Sequence, residues 1–186
     1  MVQPVELIPL ACLKCDTALP AQPDEVAWVC SRCGQGLLLD EAAERGLSLL
    51  EVTYAAGIDP AGRGKPFWVV EGQVALQRST FESLSNKTGE AQQLWSKPRR
   101  FFIPASDLPL QTLAELGPRL LLNPPALQPG PPVSFEPVTV SPDDLPALAE
   151  FIVLAIEAGR SDMLKQVNIQ VTLATPALWV LPQPLA

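Results

Sequence analysis

Histidine is absent from all 186 residues, and that gap excludes more chemistry than any motif in the chain includes. No Ser-His or Cys-His pair can form, no imidazole can ligate a metal, and none can serve as a general base near neutral pH. Catalysis would have to use carboxylates, lysine, tyrosine or a metal-bound water. Cations are also in deficit: 13 lysines and arginines stand against 20 acidic residues, a formal net charge of −7, which disfavours non-specific attraction to phosphate backbones. A membrane-spanning run is lacking too. Residues 166–186 carry no charge, but Asn168, Gln170, Thr172, Thr175 and three prolines read as a strand and a tail. The residues before Cys12 include Pro4, Glu6 and Pro9 without a basic start, so no targeting segment is expected and the default location is cytoplasmic.

What the chain does have is apolar bulk and proline. Hydrophobic residues make up 47% and the mean hydropathy is +0.18, enough for a sizeable core, while 21 prolines imply many turns and interrupted helices. The length suits one domain of about 100 to 150 residues with a small appendage.

The four cysteines stand as two knuckles, Cys12-Leu-Lys-Cys15 and Cys30-Ser-Arg-Cys33, separated by 14 residues. Two residues between thiols let one tight turn aim both sulfurs at a single ion, and two such turns complete a tetrahedral thiolate shell. The expected cofactor is therefore one structural zinc on Cys12, Cys15, Cys30 and Cys33. Tetrahedral sulfur also accepts iron, which keeps an electron carrier in view. Dithiol redox chemistry fits less well, because a redox C-x-x-C is normally single and starts a helix. A four-thiolate zinc leaves no position for water, so the metal argues against an enzyme and no catalytic residue is assigned.

Around the knuckles, residues 26–29 read as an apolar strand, residues 20–25 as a hairpin turn, and Gly34 as a position needing positive φ. These features resemble the zinc-ribbon family over residues 7–40. The first knuckle carries Leu13 and Asp16 where the family often has proline and glycine, and Asp tolerates the left-handed conformation. The resemblance implies the metal and a fold of short β-hairpins; it does not imply a ligand, since such ribbons serve transcription factors, enzymes and adaptors alike.

Residues 40–46 read as one or two turns of helix capped by Asp40 and ended by Gly46. Strands are expected at 47–55, 66–78, 167–173 and 177–181, an extended path at 133–140, and a polar surface loop or loose hairpin at 79–96. The glycines at 57 and 62 have phosphate-loop spacing, but Arg63-Gly64 stands where Lys-Ser/Thr is required. Helices are expected at 107–116, capped by Ser106 or Asp107 and closed by Gly117-Pro118, and at 142–158, capped by Ser141 and stopped by Gly159. The second helix is apolar over an unusually broad face, which suggests burial on more than one side or contact with a partner. Glu150 and Glu157 are expected on its solvated flank. The fold class is α+β: a zinc ribbon at 7–40, then a domain at 47–186 with about five strands and two main helices.

Lys97, Arg99 and Arg100 form the chain's one concentration of cations, interleaved with Trp95, Phe101 and Phe102. They would suit an anion or an acidic partner; as architecture, they would guard the rim of an edge strand whose aromatics enter the core. The functional expectation is a non-enzymatic adaptor or scaffold that binds protein and has the option of self-association. The alternatives are a transcription-associated nucleic-acid binder, with Lys14 and Arg32 also touching phosphates, and the iron-thiolate carrier.

Overall fold

Two sheets of unequal size organise the chain. The computed structural model describes residues 9–80, 87–160 and 164–183; residues 7–8 of the expected ribbon, 81–86 of the expected loop and the end of the tail lie outside them. The smaller sheet is antiparallel, in the order β1 (Ala27–Val29), β2 (Gly36–Leu39), β3 (Leu47–Leu50). Side chains alternate across a strand, so its two faces differ. Trp28, Leu37 and Leu47 cover the cysteines, while Ala27, Leu38 and Leu50 face the main core of the molecule.

Residues 40–46 form no helix. They close the β2–β3 connection as linked turns: the Asp40 amide donates to Gly46 O (3.0 Å), the Ala42 amide to Asp40 Oδ1 (3.1 Å), and Gly46 takes a φ of 66°. Glu41, Ala42, Glu44 and Arg45 are all exposed, so a helix here would bury no face to offset its costly nucleation. The run expected as one strand at 47–55 is two, because β4 (Val52–Tyr54) leaves the small sheet and pairs in parallel with β8 (Ala177–Leu181).

The larger sheet has five strands, ordered β4-β8-β5-β6, with β7 (Leu164–Leu173) paired to the far half of β5 (Lys65–Thr80). The sequence of β5 explains this arrangement. Phe67, Trp68, Val69 and Val70 are all buried, since β6 (Arg99–Pro104) and β8 flank them and side chains cover both faces; from Glu71 onward exposed and covered residues alternate, with one face open. Trp68 also donates Nε1–H to Val140 O at 2.8 Å, fixing the extended segment 133–140 over the sheet.

Among the described residues three α-helices complete the fold, one of them where no helix was expected. Residues 87–95, read as loop, are α1 (Lys87–Trp95), which packs on β5 and buries Ala91 and Trp95. The helix expected to stop at Gly117-Pro118 runs through both as α2 (Leu110–Leu122), and neither Ser106 nor Asp107 caps it. A helical proline costs about 3 kcal/mol; burial of Leu120 and Leu121 in the last turn returns about 1.5 to 3 kcal/mol each. The remaining helix follows the sequence closely: a 3-10 turn at Pro142–Asp144 with Ser141 Oγ accepting the Asp143 amide (3.2 Å), then α3 (Leu145–Ala158) capped by Gly159. Most of its broad apolar face packs against β7, β6 and α2, with Leu154 left exposed and Leu148 half-buried. Among the described residues no helix is long and apolar enough to cross a membrane.

Candidate metal centre

Each knuckle is the same six-residue turn. Cys12 N–H donates to Thr17 O and Asp16 N–H to Cys12 O; Cys30 N–H donates to Gln35 O and Gly34 N–H to Cys30 O, all at 2.9 Å. Asp16 (φ 53°) and Gly34 (φ 73°) occupy the equivalent left-handed position, so aspartate replaces glycine without loss of the turn. β1 enters the second knuckle and β2 leaves it, and a bridge between Ala11 and Ala18 frames the first.

These turns bring the four sulfurs within 4.8 Å of one another, with Cys12–Cys33 and Cys15–Cys30 at 3.6 Å. A tetrahedron with metal–sulfur bonds of about 2.3 Å has sulfur–sulfur edges of about 3.8 Å, so the cage fits a single ion. Cys12 and Cys30 are buried, Cys15 and Cys33 half-buried. The Lys14 amide donates to Cys12 Sγ at 3.4 Å, and Leu19, Trp28, Leu37 and Leu47 form the dry wall behind. Trp28 is itself fixed by Nε1–H donation to Glu25 Oε2 at 2.9 Å, which also accepts the Gln22 amide at 2.7 Å.

The thiols are not equivalent. Cys15 falls from 9.0 to about 6, chiefly because the Thr17 side chain and then its backbone stabilise the thiolate. Cys33 rises from 9.0 to about 11: a backbone hydrogen bond with Gln35 pulls it down, but burial and the neighbouring thiols of Cys12, Cys15 and Cys30 outweigh that bond. Without an ion, four like charges cannot share this cage; a cation removes the conflict. Thr17 was not singled out by sequence reasoning, although its place two residues after the first knuckle was the available signal.

The basic residues do not converge. Arg99 Nε donates to Leu94 O at 2.8 Å, its neighbour Arg100 pairs with Glu71 at 3.2 Å, and Lys97 is exposed in the turn before β6. Phe101 and Phe102 are buried, on opposite faces of the edge strand. Lys14 and Arg32 are exposed on the two knuckles.

Glu157 corrects the expectation of a solvated flank. It is fully buried, accepting Trp95 Nε1–H (2.8 Å) and Arg160 Nε–H (3.0 Å) on Oε1, with Arg78 Nε 3.3 Å from Oε2. The missed signal was a lone charge in the last turn of an apolar helix, three residues before an arginine. Glu150 is half-buried and accepts the Val171 amide at 3.4 Å, while Tyr54 lies edge-on to Phe135, with burial raising its pKa. These three groups occupy separate environments.

Compared with protein-family models, with curated proteins and with solved structures, the chain gives no significant match.

Proposed function

We propose that the four thiolates hold one structural zinc ion and that the chain is a non-enzymatic, cytoplasmic module whose task is contact with another protein. The observation that carries this reading is the closed cage. Four side chains supply the whole tetrahedral shell, two of them are buried, and an apolar wall backs them, so the ion is held as a staple. Once bound it supplies folding free energy of about 10 kcal/mol to a sheet too small to be stable alone. The absence of histidine and the lack of a phosphate loop support a role without catalysis.

Nucleic-acid binding is the second reading, favoured by Lys14 and Arg32 on the exposed knuckles and opposed by the net charge of −7. Elemental analysis of the purified protein is expected to give one zinc per chain; iron would replace this reading with electron transfer. Affinity purification from the native cell with cross-link mapping is expected to enrich a protein complex at defined surface residues. Recovery through nucleic acid, abolished by nuclease, would instead select the second reading.

A further inference from the structure

Two open clefts flank the segment 139–144. One, of about 310 Å³, lies between the end of β6, the start of α2 and the start of α3, with Leu110, Leu113 and Leu148 in its wall. The other, of about 570 Å³, lies between that segment and the small sheet, against Leu38 and Leu39. Leu110 is 59% exposed at the first rim and Leu39 36% exposed at the second. Carboxylates surround both: Asp107 and Asp144 line the first cleft, Asp40, Glu41 and Asp143 the second, and neither lining contains a lysine or arginine. Asp143 and Asp144 also balance the start of α3, and Asp40 holds its own turn. Glu41 and Asp107 are exposed and make no hydrogen bond among the described residues.

We propose that this double cleft is the docking groove for an extended, basic and apolar peptide segment of the partner protein. The segment 139–144 is a wall of both clefts, so an extended peptide laid across it, with alternate side chains on one face, offers an apolar side chain to each. The residue between the two anchors points away from the protein, and lysine or arginine on the anchoring face, before and after them, meets Glu41 in one cleft and Asp107 in the other. A single compact ligand would fill one cleft and leave the other empty. Charge complementarity selects the basic partner and the leucines anchor it. This inference rests on the protein-binding reading above and adds the place and chemistry of the contact.

The test uses the full, metal-loaded chain and two ten-residue probes, one with two leucines two residues apart in a run of lysines, the other with the same leucines in a run of glutamates. Fluorescence anisotropy is expected to detect the lysine probe and not the glutamate probe. Amide shifts should fall at residues 38–42, 104–113 and 139–148. The variants alter exposed residues, so folding is preserved: Glu41→Gln with Asp107→Asn should weaken binding about tenfold, and Leu110→Gln alone about fivefold. Unchanged binding by Leu110→Gln would reduce the groove to bulk charge and overturn the proposal, as would equal binding of the glutamate probe, shifts elsewhere, or the same shifts with spermidine. A native partner cross-linked only to the outer face of the knuckles, with the groove silent, would overturn the groove and leave the protein-binding reading standing. Binding of the lysine probe with these dependences, but no native partner recovered, would keep the groove and weaken that reading.

Discussion

Cys15 and Cys33 share one cage and hold their protons oppositely, which gives the metal-free protein a measurable order of reactivity. Cys15, lowered to about 6, is largely thiolate at pH 7.5, whereas Cys33, raised to about 11, is almost wholly thiol. Brief alkylation immediately after chelation, before residues 9–50 disorder, followed by peptide mass mapping should therefore modify Cys15 ahead of Cys33; the difference should vanish once that segment has disordered, and bound metal should protect all four. The linkage has opposite signs. The depressed Cys15 value stabilises the apo fold fully above pH 9.0, and that contribution is lost as pH falls through about 6; the raised Cys33 value contributes below pH 9.0 and is lost as pH rises through about 11. Glu157 is the other residue whose surroundings decide its effect. Its carboxylate lies between Arg78 and Arg160 with almost no access to water, and removing one partner of a buried ion pair costs about 3 to 5 kcal/mol. Glu157→Gln should lose about that much in urea unfolding, while Glu150→Gln, with one long bond to the Val171 amide, should lose less than about 1 kcal/mol.

At the scale of elements, α2 shows tertiary packing overriding local signals. Its Gly117 lies against Ile152: a Cβ there would come within 2.5 Å of Ile152 Cγ1 and 2.8 Å of Cδ1, and Ile152 is fully buried with nowhere to move. Gly117→Ala gains up to about 1 kcal/mol of helix propensity but overpacks the α2–α3 contact by about 1 to 3 kcal/mol. Thermal unfolding should show net destabilisation, and a stabilised variant would mean that the helices separate easily. Elements whose signals are local were legible in the sequence: the knuckles from cysteine spacing, α3 from Ser141, Pro142 and Gly159, β7 from its alternation, and β5 from its apolar run. Those decided by distant partners were not. Leu120 and Leu121 carry α2 through Gly117-Pro118, α1 owes its place to the burial of Ala91 and Trp95, and Glu157 is buried because Arg78 reaches it from β5. The metal ligands needed no distant partner beyond the second knuckle, whereas the groove joins residues from four separate segments and left no trace in spacing.

At the scale of the molecule, the small sheet has its own apolar cluster around the cysteines, yet its other face belongs to the main core. The Val26 amide donates to Val138 O at 2.8 Å, and Ala27, Leu38 and Leu50 lie in the cluster that also holds Trp68 and Ile152. Metal loss should therefore not stay local. Chelation, or Cys30→Ser, is expected to disorder residues 9–50, seen as collapsed amide dispersion there. All three helices lie beyond that segment, so helical circular dichroism should survive at 25 °C. The cost to the remainder comes from uncovering the face that the small sheet protects. Exposing one or two large apolar side chains in net terms is worth about 2 to 3 kcal/mol, and a chain of this length loses about 2 to 4 °C per kcal/mol. The helical unfolding midpoint should thus fall by about 5 to 10 °C on chelation. An unchanged midpoint would show that the two faces of the small sheet are energetically independent; loss of helix together with the ribbon would show a single cooperative unit in which the metal cage supports the entire fold.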